Sequence, residues 1–116
     1  MPRTELDLMQ GTLDVLVLKA LSWGQRHGHA VAGWIRATTD DDLNIEDGAL
    51  YTALHRLERR GLVSAEWGLS DNNRKAKFYE LTDAGRGELR KEAHRWSRYA
   101  DAVFKVLRAQ GSGMGR

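Results

Sequence analysis

The chain has 116 residues and a formal net charge of +2, with 29% charged and 41% hydrophobic residues, no cysteine and one proline. This length fits a single domain, or one small domain with an added element, and the hydrophobic fraction is too high for a disordered chain. The absence of cysteine excludes a disulfide framework, a thiolate zinc site and a cysteine nucleophile. No long uncharged apolar run follows the first residues, so the sequence predicts a small cytoplasmic protein with neither a signal peptide nor a membrane-spanning helix.

The charges are divided unevenly along the chain. Residues 1–50 carry 4 basic and 8 acidic side chains, a net charge of −4, whereas residues 51–116 carry 14 basic and 8 acidic ones, a net charge of +6. This asymmetry indicates a surface in the second half that faces a polyanion. The alternative is an ordinary solvated surface with an uneven charge distribution.

The first part of the chain predicts three helices. Apolar residues at helical spacing indicate one helix over residues 8–22 and a second over residues 28–38. A third runs from about residue 47 to residue 60 and ends at Gly61, because glycine tolerates the left-handed conformation that follows many helices. Its apolar stripe consists of Leu50, Leu54 and Leu57.

The hydrophobic period then changes to that of a strand. Residues 62–67 alternate and residues 75–81 form a second short strand, which predicts a β-hairpin. A last helix follows, and the glycine-rich residues 110–116 are expected to be a disordered tail. The predicted fold class is mainly α with a two-stranded β-wing: a winged helix-turn-helix domain over residues 1–81 and a C-terminal dimerisation helix over residues 82–109.

The third helix and the hairpin carry side chains typical of a DNA-binding surface. The first two helices and the leucine stripe form the core, so the opposite face of the third helix is free to enter a major groove. Hydroxyl, imidazole, amide and cationic groups on such a face bind phosphates and base edges. The predicted DNA-binding residues are Tyr51, Thr52, His55, Arg56 and Arg59 on the third helix and Asn73, Arg74, Lys75 and Lys77 on the hairpin. The alternative is an exposed helix with ordinary surface charges.

Several stretches of the chain resemble the PadR-type transcriptional regulators. Residues 47–63 resemble the recognition helix of that family, His27-Gly28 the start of its second helix, residues 66–68 its wing, and residues 74–85 the stretch that follows. The resemblance covers residues from about 8 to 108 and implies a homodimeric DNA-binding regulator joined through the C-terminal helix, with help from the N-terminal one. Residues 7–14 resemble the branch that is often found near permease genes in soil bacteria, in its short form with a single C-terminal helix.

The sequence departs from the family pattern at three positions near the predicted recognition helix. His29 stands where the family usually has tyrosine, Thr52 where it has proline, and Glu46 where it often has serine, threonine or asparagine. These departures bear on how phosphate is bound near the start of the third helix.

The last helix carries a second motif, a heptad repeat of apolar residues. Apolar or small residues recur at alternating spacings of 4 and 3, the pattern of a coiled-coil seam. We favour a homodimer over packing of this helix onto its own domain, because a winged helix of about 80 residues already closes its own core. A two-fold axis then places two third helices in successive major grooves of a pseudo-palindromic operator, about 34 Å apart. The predicted dimer-interface residues are Leu89, Ala93, Trp96, Ala100, Val103 and Leu107.

Four tryptophans are many for this length. Trp23, Trp34 and Trp67 are expected to pack in the core or the hairpin, whereas Trp96 lies on the predicted seam. A pair of indoles there either packs within the interface, which we favour, or lines a pocket for a small aromatic or hydrophobic effector, which the family resemblance implies.

No constellation typical of an enzyme or a metal site is present in the sequence. His27 and His29 have no further ligands close by in the chain, and residues 40–42 predict an acidic surface loop. There is no nucleophile elbow and no phosphate-binding glycine loop. We therefore predict no catalytic residue, metal or cofactor, and a repressor that binds double-stranded operator DNA. The alternatives are a winged-helix module that binds protein without DNA, and a small metal-dependent hydrolase.

Overall fold

The computed structural model describes residues 11–111 and contains four helices and a small antiparallel sheet within them. This confirms the predicted fold class of a mainly helical winged helix. In chain order the elements are α1 (Thr12–Ala20), β1 (Arg26–His27), α2 (Gly28–Thr38), α3 (Asp47–Arg59), β2 (Val63–Leu69), β3 (Lys75–Leu81) and α4 (Asp83–Leu107).

The core lies between α1, α2, α3 and the base of the wing. The predicted leucine stripe of α3 is fully buried, and Ala53 joins it. Burial of each such leucine contributes roughly 1.5–3 kcal/mol relative to exposure, so the stripe determines which face of α3 points inward. The largest fully buried side chains are Val17, Leu18, Leu21, Val31, Ile35, Leu50, Leu54, Leu57 and Tyr79.

The sheet has three strands rather than the predicted two, in the order β1-β3-β2. β2 spans Val63–Leu69, so it extends two residues beyond the predicted strand, and it pairs with β3 from Val63↔Leu81 to Leu69↔Lys75. The additional strand, β1, pairs Arg26 with Tyr79 and His27 with Phe78. A two-residue strand is too short to show alternation, so the sequence pattern carried no signal for it.

The end of α3 is joined closely to the start of α4. Thr82 caps α4, because its hydroxyl accepts a hydrogen bond from the Gly85 amide at 3.0 Å and donates one to the Gly61 carbonyl at 2.7 Å. Gly85 is buried, and a Cβ added there would collide with the carbonyl oxygen of Leu62. Only glycine therefore allows α4 to approach the end of α3 this closely.

Beyond this junction α4 has little cover. It ends at Leu107, two residues before the predicted end, and Gly85 is its only buried residue. An ion pair between Arg60 Nη2 and Glu88 Oε2, 3.3 Å apart, adds a link to the end of α3. The predicted start of the first helix at residue 8 and the tail residues 112–116 lie outside the described residues. Within residues 11–111 no helix is both long and apolar enough to cross a membrane.

Candidate DNA-binding surface

A groove of about 880 Å³ lies between the start of α2, the exposed side of α3 and the wing. It brings together residues that are up to 52 positions apart in the chain, so the fold assembles this surface. Its lining includes two further histidines and five of the nine predicted DNA-binding residues, whereas Thr52, Arg56, Arg59 and Asn73 are not part of it. The lining residues are His27, Gly28, His29, Tyr51, His55, Trp67, Ser70, Asp71, Asn72, Arg74, Lys75, Ala76, Lys77 and Tyr79.

The outer face of α3 carries three of the predicted DNA-binding residues. Thr52, His55 and Arg59 are exposed and lie opposite the buried leucine stripe. A helix that buries one stripe in the core and exposes the opposite one has the geometry of a helix that enters a major groove. Asp47 lies in the first turn of α3, where its negative charge interacts favourably with the partial positive charge of the helix N-terminus.

Arg56 lies at the side of α3 that faces α1. Its Nε donates a 3.1 Å hydrogen bond to Asp14 Oδ2, and its Nη2 donates to Asp14 Oδ1. The hydrogen bonds to Asp14 raise the pKa of Arg56 above its ordinary value. This bidentate pair fixes α3 against α1, and the side chain keeps 42% of its surface exposed. Arg56 therefore has a structural contact that the sequence did not indicate, and its outer guanidinium edge remains accessible.

Tyr51 depends on the glycine at the start of α2. A Cβ on Gly28 would lie 2.7–2.9 Å from three atoms of the Tyr51 phenol ring and hydroxyl, so a larger residue there would require the exposed ring to shift. The neighbouring His27 caps α2, because its Nδ1 accepts a 3.1 Å hydrogen bond from the Ala30 amide. His27 and Gly28 were noted in the sequence for their resemblance to the start of the family's second helix. In the structure they position α2 and Tyr51 at the edge of the groove.

The tip of the wing is a tight turn between Leu69 and Lys75. Asn73 adopts a left-handed conformation with φ of 64°, which asparagine tolerates better than most residues. The backbone amide of Asn73 donates a 2.8 Å hydrogen bond to the Ser70 carbonyl. The backbone amide of Ser70 donates one of 2.8 Å to the Arg74 carbonyl. These bonds hold Arg74 and Lys75 exposed at the end of the hairpin.

Lys77 connects the wing to α3. Its Nζ lies 3.8 Å from Glu58 Oε1 and 5.8 Å from the centre of the Tyr79 ring. Burial, and to a smaller extent the charge of Glu58 and the presence of Tyr51, raises the pKa of Tyr79. Lys77 is thus half-buried and held between the two elements, unlike the exposed Lys75.

Two tryptophans that the sequence analysis assigned to packing are exposed. Trp23 and Trp67 keep 60% and 62% of their surface exposed, so neither packs in the core, although Trp67 does contact Lys75 within the hairpin. Trp23 contacts Trp34, with ring centres 5.1 Å apart, and Lys19 Nζ lies 4.7 Å from its ring. The hydrophobicity of these side chains therefore did not predict their burial. A lysine side chain, rather than the core, covers part of each ring.

The predicted seam of α4 is largely uncovered in a single chain. Leu89 packs partly against the core, whereas Trp96, Val103 and Leu107 keep 37%, 37% and 72% of their surface exposed. Ala93 is exposed and Ala100 half-buried. A separate groove of about 580 Å³ runs between the start of α1 and α4, and Trp96 and Tyr99 line it.

Chemically, the described residues offer hydrogen-bond donors and cations rather than a reaction centre. Across residues 11–111, no cluster of three or more histidine, cysteine or carboxylate side chains is arranged to hold a metal ion. The groove contains three histidines, two lysines and an arginine, with Asp71 as its one acidic residue. A polyanion is therefore the ligand class that this surface fits best.

Three packed helices, a wing and an exposed cationic helix face define a winged helix-turn-helix protein of the DNA-binding class. The chain belongs to the transcriptional regulator PadR-like family, whose model matches residues 17–91. This confirms the resemblance seen in the sequence. Members of this family are DNA-binding transcriptional regulators and are not enzymes.

Solved structures with the same fold support this assignment. A PadR family transcriptional regulator from Eggerthella lenta is 33% identical, with a TM-score of 0.70, and the match covers 87% of this chain and 86% of that one. A transcriptional regulator from Clostridium thermocellum is 24% identical, with a TM-score of 0.77, over 85% of this chain and 93% of that one, which shows the shared fold.

A sequence relative of greater length is also known. An uncharacterized 37.1 kDa protein in transposon TN4556 of Streptomyces fradiae is 40% identical over 92 residues. The match covers 79% of this chain and 25% of that protein. The chain therefore spans about a quarter of that relative.

Proposed function

We propose that this PadR-family protein is a repressor that binds a pseudo-palindromic operator as a homodimer. In this proposal α3 enters the major groove, and the wing contacts the adjacent backbone or minor groove. The observation that carries it is the groove between α2, α3 and the wing, which gathers the cationic and hydrogen-bonding side chains of three elements on one surface.

The proposed DNA contacts, in and beside this groove, divide into three groups. Thr52, His55 and Arg59 on the outer face of α3 have the exposure needed to reach base edges. Tyr51 and the outer edge of Arg56 flank that face and are suited to phosphates. On the wing the proposed contacts are the exposed Asn73 of the turn and the groove residues Arg74, Lys75 and, in part, Lys77.

The proposed dimer is supported by the exposed apolar stripe of α4. Trp96, Val103 and Leu107 share one helix face with Leu89, and the single chain leaves most of this face uncovered. Pairing with a second α4 would bury it. Because α4 is joined closely to the end of α3, the pairing of the two α4 helices would also determine the distance between the two recognition helices.

We also propose that a small aromatic or hydrophobic effector binds beside Trp96. Trp96 and Tyr99 contact each other edge to face, with ring centres 6.1 Å apart, and both line the groove between α1 and α4. An aromatic ligand stacked there would lie next to the proposed dimer seam, so its binding would change how the two protomers pack. Titration of the intrinsic fluorescence with aromatic compounds, in the parent and in Trp96→Phe, tests this site.

The test of DNA binding uses Arg59→Ala, with Arg36→Ala as a matched control. Arg36 is also an exposed helical arginine, but it lies on α2 rather than on the outer face of α3, and it is close to Asp41. Duplexes selected by the parent protein from random DNA supply the ligand. We expect Arg59→Ala to weaken binding by about 1–3 kcal/mol, as for loss of one base-reading arginine, and Arg36→Ala to bind as the parent does.

Arg59 is preferred to Arg56 for this test because Arg56 also holds α1 through Asp14. Replacing Arg56 would change both folding stability and DNA affinity. A parent protein that enriches no duplex at low salt would contradict the proposal and favour a winged helix that binds another protein. Equal binding by Arg59→Ala and the parent would instead contradict the assignment of the α3 face.

A further inference from the structure

Trp67 is an exposed aromatic residue on the side of the wing that faces the recognition helix. It lies in β2 opposite Lys77, keeps 62% of its surface exposed, and lines the groove together with His55 of α3. Lys75 Nζ lies 5.1 Å from the centre of its ring. An indole this exposed contributes little to the core, so packing within the domain does not explain it.

We infer that Trp67 packs its indole ring against a deoxyribose of bound duplex DNA, while Lys75 beside it pairs with an adjacent phosphate. This inference rests on the proposed function, since it requires the wing to lie on the DNA backbone. Along a DNA strand apolar sugar faces alternate with charged phosphates. An aromatic ring with an ammonium group at its edge presents the same alternation of apolar and cationic surface.

The charges of the surrounding surface favour DNA as the occupant. Trp67 lies within a groove that also contains Arg74, Lys75 and Lys77, with Asp71 as the one acidic lining residue. The apolar ring is continuous with the cationic surface on which the proposed DNA contacts lie, and a polyanion is the partner that matches both.

An apolar contact and an ionic contact differ in their salt dependence. Each phosphate neutralised by a cation contributes about −0.9 to the slope of log K against log salt concentration. A sugar packed against an indole releases no counterion, so its loss lowers affinity equally at every salt concentration. This difference separates the role of Trp67 from that of the lysine next to it.

The experiment compares Trp67→Thr with Lys75→Gln and with Trp23→Thr by fluorescence anisotropy of a labelled duplex selected by the parent protein. Threonine keeps a high β-propensity in the strand. Trp23 is a matched control, because it has 60% of its surface exposed and also carries a lysine, Lys19, over its ring, but it does not line the groove. Thermal unfolding of each variant establishes that the protein remains folded.

We expect Trp67→Thr to lower affinity roughly five- to tenfold at every salt concentration without changing the slope, as for loss of a buried apolar contact. Lys75→Gln should make the slope shallower by about 0.9, and Trp23→Thr should bind as the parent does. Acrylamide quenching gives a second measurement: DNA should protect part of the fluorescence of the parent and of Trp23→Thr, and this protected part should be absent from Trp67→Thr.

Three results would overturn the inference. The first is binding by Trp67→Thr as tight as that of the parent. The second is a change of its slope as large as that of Lys75→Gln, which would make the indole only a support for the lysine. The third is the absence of any DNA-protected fluorescence that depends on Trp67. If the parent binds no duplex, both this contact and the proposed function fail, whereas a parent that binds normally beside an unaffected Trp67→Thr refutes this contact alone.

Discussion

The substitution Gly85→Ala tests the junction between α3 and α4. A Cβ at this position would lie 3.0 Å from the carbonyl carbon of Leu62, closer still to its oxygen, and 3.2 Å from Leu81 Cδ2. The nearest of these atoms belong to the backbone and cannot turn aside, so the start of α4 must move. The movement would disturb the hydrogen bond from the Thr82 amide to the Leu62 carbonyl, which measures 3.1 Å.

The expected destabilisation follows from these contacts. Overpacking of a closely packed site costs about 1–3 kcal/mol, and loss of one hydrogen bond adds about 1 kcal/mol. The sum, about 2–4 kcal/mol, is a large part of the roughly 5–15 kcal/mol that stabilises a domain. Urea unfolding followed by circular dichroism, at one fixed protomer concentration, measures the difference in the free energy of unfolding.

Gly87 provides the control in the same helix. The atom nearest to a Cβ added at Gly87 is Nη2 of Arg90, at 3.9 Å, so alanine fits without strain. Because alanine has the higher helix propensity, Gly87→Ala should stabilise the protein by about 0.5–1 kcal/mol. Equal stability of Gly85→Ala and the parent, or an equal loss in both variants, would refute the reasoning.

Three further substitutions address the other contacts. Arg56→Ala should lower the free energy of unfolding by about 0.5–1 kcal/mol, the range for a partly exposed ion pair; a double-mutant cycle with Asp14→Ala that shows no coupling would contradict this. Trp96→Glu should yield monomers in light scattering while Trp23→Glu stays dimeric, because a charge cannot be buried unpaired in the seam; a dimer in both variants would exclude the seam. The raised pKa of Tyr79 means that the folded state holds its proton more tightly than the unfolded chain does. Its contribution to stability is therefore complete below about pH 10, the ordinary tyrosine value, and is lost as the pH rises through the pKa of the folded protein. In Tyr79→Phe the free energy of unfolding should depend less on pH above about pH 10. If it falls with rising pH as steeply as that of the parent, the assignment is wrong.

Helix positions were predictable because they depend on local patterns. The stripe of Leu50, Leu54 and Leu57 predicted both the existence of α3 and its buried face, and all three residues are fully buried. The glycine after α3 also ends the helix as expected, with φ of 76° at Gly61. These features follow from residues three or four positions apart, which the sequence displays directly.

Contacts between distant elements were not predictable in this way. The pairing of Arg56 with Asp14 spans 42 positions, and nothing in either local pattern indicates it. The fit of Tyr51 against Gly28 likewise depends on how α2 and α3 cross. The sequence thus identified which residue types form the surface, whereas their orientation, and the exposure of Trp67, required the folded structure.

The short strand β1 also affects the dynamics of the wing. It pairs only with Phe78 and Tyr79, so the base of β3 has a strand on each side, whereas the part from Lys75 to Lys77 is paired with β2 alone. Backbone amides near the base should therefore exchange with solvent slowly, and those in the turn at residues 70–74 quickly. The base would hold the wing at a fixed angle to the recognition helix, while the tip adjusts to the local width of a DNA groove.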